Sequence, residues 1–209
     1  MNMENEYIFF LKGLFIGFSI AAPVGPIGLL CIHRTLYQGR VYGFLTGLGA
    51  ATADMMYGFI AGFGLTFISN FLMDQKIILQ IVGGVFLVYI GLKIFSSKPQ
   101  VSPSNSKNKG LLSSYLTTFF LTITNPVTIL SFMGIFAGLG IGSLENPDYL
   151  LSFLLVIGVF LGSATWWLVL TGLAGIFRDR INPTYLNWIN RFSGIFILCF
   201  GLVVIITLV

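Results

Sequence analysis

The sequence predicts an all-α integral membrane protein whose six transmembrane helices form two inverted three-helix repeats. Three observations lead there. Of 209 residues, 56% are hydrophobic and only 9% charged, with mean hydropathy +0.93, whereas a soluble domain carries about a quarter charged residues. Six apolar runs are each long enough to cross a bilayer about 30 Å thick, which takes about 20 helical residues. Segments of the first half also recur, in the same order, in the second.

The runs cover approximately 7–32, 41–71, 77–96, 111–141, 149–177 and 187–209. Within the first, Ser19-Ile20-Ala21 superficially matches a signal-peptidase site. Glu4 and Glu6 precede it and no basic residue comes before Lys12, the wrong sign for a secretory signal, and the apolar text continues to Ile32, so this run is expected to stay as the first membrane helix. The second, fourth and fifth runs are long and glycine-rich, which predicts tilt, kinks or interruptions. Between the third and fourth runs, 97–110 reads SKPQVSPSNSKNKG, a polar stretch without periodicity that suits a flexible cytoplasmic hinge. The expected division is therefore 1–96, the first repeat, then the linker, then 111–209, the second.

Basic residues set the expected orientation. Arg34 and Arg40 flank the first connection, Lys93, Lys98, Lys107 and Lys109 the third, and Arg178, Arg180 and Arg191 the fifth. The second and fourth connections read MDQK and SLENPD, one neutral and one acidic. This alternation puts the odd connections in the cytoplasm and both termini outside. The net charge of +4 is thus an orientation signal at the ends of apolar runs and does not form a nucleic-acid patch.

The repeat is carried by three pairs of segments. Ala22-Pro23 has a counterpart in Asn125-Pro126; LGAATADMMYGFIAG from Leu48 aligns with LGSATWWLVLTGLAG from Leu161; GGVFLVYIGL from Gly83 aligns with SGIFILCFGL from Ser193. Three spans per copy is an odd number, so the second copy is threaded the opposite way. Inverted repeats with prolines breaking matching helices point to a secondary transporter with its site near the midplane.

Two features inside the apolar text are costly in hydrocarbon. Pro23, Gly25 and Pro26 interrupt the first run, and Asp54 is the only acid deep within a span. Each proline removes a backbone donor, and a carboxylate there needs a partner or a proton. Both are tolerated where they line a cavity. The GP of run one, the glycines at Gly39, Gly43, Gly47 and Gly49, Asp54 and the Thr124-Asn125-Pro126 that opens run four together resemble the LysE/RhtB group of amino-acid exporters, over nearly the whole chain. The resemblance implies efflux of amino acids or similar metabolites, driven by the proton gradient, across the inner (plasma) membrane of a bacterium. RhtB-type members usually read PGPN at the first motif; here it is PVGPIG, with Asp54 retained as in LysE-type members.

Pro23, Gly25 and Pro26, with Thr124, Asn125 and Pro126, are therefore the expected substrate-binding residues, because such breaks free carbonyls and amides for an ammonium and a carboxylate. The plainer alternative is a pair of kinks. Asp54 is the expected proton-coupling group, and the alternative is a structural pair with Tyr57 or Thr52. Asn125 either contacts substrate or satisfies the backbone that Pro126 frees. Tyr57, Trp166 and Trp167 are expected to line the cavity; Trp166 and Trp167 stand where the first copy has Ala53 and Asp54. The glycines suit close helix packing, within one chain or between two copies, which leaves a homo-oligomer open. Trp188 reads as an interfacial anchor and His33 as a solvated or interfacial histidine.

No Ser/His/Asp arrangement or phosphate-binding glycine loop occurs, so no enzyme is expected, and no cofactor is implied. Two rival transporters share the architecture. A membrane thiol-electron carrier needs two cysteines within reach, whereas Cys31 would map near Gly134 and Cys199 belongs to run six. A divalent-metal exporter needs several carboxylates or histidines converging in the membrane, and Asp54 is a single acid.

Overall fold

The protein is described by a computed structural model covering residues 3–23, 25–63, 74–96, 110–138, 148–177 and 183–206. The hinge expected at 97–110 lies almost wholly outside the described residues, as do Arg178 and Arg180. Among the described residues there are eight α-helices and no strand: α1 Met3–Ala21, α2 Pro26–Gln38, α3 Arg40–Gly62, α4 Lys76–Phe95, α5 Leu111–Ile123, α6 Pro126–Gly138, α7 Tyr149–Phe177 and α8 Pro183–Ile206.

Two of the expected runs are each divided into two helices. The chain turns by 80° between α1 and α2, and by 62° between α5 and α6. Pro26 and Pro126 each open the second helix of a pair, the first-turn position where a missing N–H costs nothing. Three helices, α4, α7 and α8, are long and apolar enough to cross a membrane singly, and each bent pair is so as a unit, giving up to five candidate spans among the described residues. The other expected span is α3. It has the length, 23 residues, but eleven of them are buried and these are nearly all Gly, Ala, Thr and Asp54. Helices α2, α5 and α7 pack against this small-residue side, while Val41, Met56 and Phe59 on the opposite side of α3 stay exposed.

Lipid tails are as apolar as leucine, so packing rather than water exclusion holds such helices together, and small residues decide where backbones meet. Helix α1 lies along α7 through two Gly-xxx-Gly pairs. A Cβ on Gly17 would sit 2.0 Å from the Val159 carbonyl oxygen, and one on Gly162 would sit 2.0 Å from that of Leu14. Gly13 meets Leu155 and Gly158, so the contacts advance together and the two helices run parallel. Helix α5 lies parallel to α3 in the same way, with Gly49 against the Tyr115 carbonyl. Helices α3 and α7 are antiparallel: Gly43 meets Thr171, Gly47 meets Trp167, Gly58 meets Val159 and Gly62 meets Leu155. Helices α4 and α8 are also antiparallel, with Gly84 against Gly201 and Gly91 against Gly194.

One glycine is needed for its backbone. Gly39, between α2 and α3, has φ 110° and returns its N–H to the carbonyls of Arg34 and Thr35. A side chain there would cost roughly 1 kcal/mol or more in strain.

The close approaches predict a contrast between two glycines of one helix. Gly162→Ala forces α1 off α7 and should lower the thermal unfolding temperature of the purified protein, as overpacking by about 1–3 kcal/mol does. Gly172→Ala, with nothing within 4 Å of the added carbon, should leave it unchanged or raise it slightly.

Candidate functional site

The antiparallel contact of α3 and α7 encloses Asp54, which is 3% exposed. Its Oδ2 accepts a hydrogen bond of 2.7 Å from the Ser163 hydroxyl of α7. The Ser163 oxygen in turn accepts one of 3.1 Å from the Trp167 indole N–H, one turn further along the same helix. Because the indole occupies the serine's acceptor side, the serine hydrogen is directed at the carboxylate. A charge-assisted bond of this kind stabilises by about 1.5–3 kcal/mol. The partner of Asp54 is thus neither of the two expected from sequence. Tyr57 donates its hydroxyl to the Ile123 carbonyl, and Thr52 bonds the Leu48 carbonyl while accepting from the Tyr115 hydroxyl.

The two chain breaks differ in how their backbone is satisfied. At the second, Pro126 has no N–H for the Thr122 carbonyl, and Asn125 N–H bonds that oxygen instead, at 3.1 Å. The Ile123 carbonyl would meet Val127 N–H in a continuous helix. It accepts from Tyr57, while Val127 N–H goes to Asn125 Oδ1 at 3.1 Å. Asn125 is therefore the N-cap of α6, and Thr124 bonds back to the Phe120 carbonyl with its hydroxyl, 2.7 Å. At the first break, Pro23 and Pro26 withhold the N–H groups that Ser19 and Ala22 carbonyls would meet. Gly25 N–H turns back to the Pro23 carbonyl, 2.9 Å, and Gly25 caps α2 without any side-chain bond. Pro23 is exposed and a side chain on Gly25 would meet nothing within 4 Å. Break two is closed by its neighbours; break one is open.

The breaks lie on either side of Asp54 along α3. Ala21, at the end of α1, and Cys31 of α2 pack with Ala50, Ala51 and Trp167, one turn from Asp54 in one direction. Ile129 and Phe132 of α6 pack with Tyr57, Leu155, Val159 and Ile16, one turn away in the other. Trp167 is buried within the first cluster, and Trp166 is half-buried with its ring edge-on to Phe18 at 5.4 Å. Along α3, Asp54 thus lies between Trp167, which packs with Ala21 and Cys31, and Tyr57, which packs with α6. Pro23 is exposed, Gly25 has nothing within 4 Å of its Cβ position, and Thr124 lies against Gly83 of α4.

Three residues that sequence reasoning passed over also matter. Ser163 stands where the first copy has Ala50, so a hydroxyl added in one copy only was the available signal. Arg34, read as a flanking charge, has its Nη1 bonded to Thr46 Oγ1 at 3.0 Å, the Ser114 carbonyl at 2.8 Å and Thr118 Oγ1 at 3.2 Å. His33, expected to be solvated or interfacial, is half-buried: its Nε2 lies 2.8 Å from Oδ1 of the fully buried Asn190, and its ring stacks on Tyr37 at 4.5 Å. Trp188 is exposed. Cys31, whose thiol donates to the Gly43 carbonyl at 3.3 Å, is buried and Cys199 exposed, and both are free. Among the described residues no three His, Cys, Asp or Glu side chains gather into a cation site.

The Ser163–Asp54 bond predicts energetic coupling. Ser163→Ala should destabilise the purified protein by about 1–3 kcal/mol in thermal or detergent unfolding, because it leaves the carboxylate without its donor. With Asp54→Asn already in place the same change should cost measurably less, and additive costs would mean that the bond contributes nothing.

The family described as LysE type translocator matches residues 18–208 of the chain. Among curated proteins, YcgF of Bacillus subtilis (strain 168), whose given name assigns it provisionally to amino acid efflux, is 28% identical over 198 residues, covering 92% of each chain. The uncharacterized membrane protein slr1627 of Synechocystis sp. is 22% identical over 185 residues, covering 86% of this chain and 88% of its own. The uncharacterized membrane protein YahN of Escherichia coli (strain K12) is 31% identical over 111 residues, about half of each chain. No solved structure matches.

Proposed function

The chain belongs to the LysE-type translocator family, and we propose that it is a secondary exporter that moves an amino acid or related small metabolite out of a bacterial cell in exchange for protons. One observation carries the reading: a buried carboxylate, Asp54, on a helix against which both proline-broken pairs pack. An acid in such a place is a functional group by default, and helices broken at matching prolines are a usual form of a transporter site. The relative named for amino acid efflux supports the substrate class.

In this reading the protein has six spans in two inverted copies, α1–α4 and α5–α8, joined by the segment at 97–110, with both termini outside. The pairing of helices supports it. Exchanging the copies turns the parallel pair α1–α7 into α5–α3, also parallel, and returns the antiparallel pairs α3–α7 and α4–α8 to themselves. Gly84 faces Gly201, the counterpart of Gly91, and Gly91 faces Gly194, the counterpart of Gly84, as a two-fold exchange of the copies requires. Substrate from the cytoplasm binds between the breaks, its ammonium on carbonyls around Pro23, Gly25 and Pro26, with Thr124, Asn125 and Pro126 forming the opposite wall. Tyr57, Trp166 and Trp167 shape the space, and aromatic faces suit a passing ammonium. Asp54 exchanges a proton for substrate, so each of the two ligands favours one facing conformation by a few kcal/mol.

The test is efflux of a preloaded amino-acid panel from cells expressing the protein, beside Asp54→Asn. Export of at least one amino acid, lost in Asp54→Asn and on collapse of the proton gradient, is the expected result. Export that survives Asp54→Asn would remove the carboxylate from the mechanism, and an unmoved panel would remove the amino-acid assignment.

A further inference from the structure

Arg34 is a cation within the helix bundle whose bonds among the described residues all go to neutral groups. Its three bonds use one nitrogen, Nη1, and the acceptors belong to α3 and α5. These acceptors are themselves fixed. Thr46 gives its hydroxyl hydrogen to the Tyr42 carbonyl at 2.8 Å and Thr118 gives its own to the Ser114 carbonyl at 3.1 Å, so both hydroxyl oxygens are committed to receiving from Arg34. The guanidinium plane is thereby set. The other edge, Nε and Nη2, makes no hydrogen bond among the described residues. Nor is it sealed in: among the described residues only Glu6 Oε1 is both buried and unpartnered.

From this geometry we infer that Arg34 is a carboxylate-binding site, in which the Nε–Nη2 edge takes both oxygens of the solute's carboxylate at the first stage of its passage. The inference deepens the export reading and rests on it for the identity of the ligand. A guanidinium edge matches a carboxylate in shape and pairs with it through two parallel bonds. A cation kept among neutral acceptors in a membrane protein lacks the counter-charge that normally repays its desolvation, and a bound anion supplies it. Anchoring alone would not call for arginine, since a lysine ammonium offers three donors for three acceptors. Thr46 lies two turns from Asp54 on α3, about 12 Å at 1.5 Å per residue, so a small amino acid reaches the two charged groups one after the other. The anchoring triad stands near the ends of α3 and α5 that the charge pattern assigns to the cytoplasm.

The experiment uses the full chain purified in detergent and follows thermal unfolding in sodium acetate, sodium phosphate and sodium chloride at equal ionic strength. Acetate should raise the unfolding temperature above chloride in the wild type and in Asp54→Asn, as a ligand of the folded state does. Arg34→Lys, which keeps the charge and loses the planar edge, should abolish that increment. Should Arg34→Lys fail to fold, Thr118→Val, which removes one anchor of the plane, should diminish it. In efflux, Arg34→Lys should raise the half-saturating concentration of an exported amino acid about tenfold, about 1.4 kcal/mol, and leave that of its carboxamide unchanged. Equal increments from acetate and phosphate would assign the edge to a phosphate headgroup and overturn the proposal. An acetate increment that survives in Arg34→Lys, or is absent from the wild type, would overturn it as well. The acetate arm decides the matter even if no amino acid on the panel is exported.

Discussion

A carboxylate that has to live inside a helix bundle governs how this protein is built. Asp54 tolerates its position because Ser163 donates to it and Trp167 fixes the direction of that donation. That requires α3 and α7 to lie side by side at close range over their whole contact, and the glycines from Gly43 to Gly62 supply the closeness. The glycine, alanine and threonine side of α3 is covered by α2, α5 and α7, and its other side exposes Val41, Met56 and Phe59. The lipid-facing work falls to the uniformly apolar helices, among which α4 and α8 pair through their own glycines. The chemistry of one side chain thus accounts for which helices are central and which are peripheral.

The same constraint distinguishes the two breaks. In hydrocarbon each freed backbone group needs a partner. Asn125 and Tyr57 meet the groups left at Pro126, so α6 is capped and the end of α5 is tied to α3 one turn from Asp54. Among the described residues no such set of side chains meets the break at Pro23–Pro26, and Gly25 faces open space. The tied break keeps its backbone satisfied without a ligand, and the open one suits the side on which a ligand replaces missing partners.

Much of this was legible in the sequence. Composition gave the solvent, the prolines gave both breaks, and the glycine spacing gave the α3 contacts, because each of these depends on local chemistry alone. Asp54 was marked by its cost in an apolar run. Its partner was not, because Ser163 lies 109 residues away and a serine inside a small-residue block looks like packing. The partners of Arg34 and His33 were hidden for a related reason. A basic residue near the end of an apolar run usually flanks the membrane, but the turn at Gly39 folds α2 back against α3, which carries both side chains inward to Thr46 and Asn190. Trp167 was expected at a cavity wall and is found in the hydrogen-bond chain to the acid.

The central proposal, that Asp54 exchanges a proton for substrate between two facing conformations, requires the charge on Asp54 to decide which break water reaches. It is tested most directly by the rate at which a membrane-impermeant thiol reagent labels Gly25→Cys or Thr124→Cys, in a background with Cys31 and Cys199 replaced by alanine. Gly25 has φ −96° and free space at its Cβ position, so the substitution itself is tolerated. The account predicts that adding Asp54→Asn shifts the two labelling rates in opposite directions, one break closing as the other opens. Rates that stay unchanged, or that rise or fall together, would contradict it.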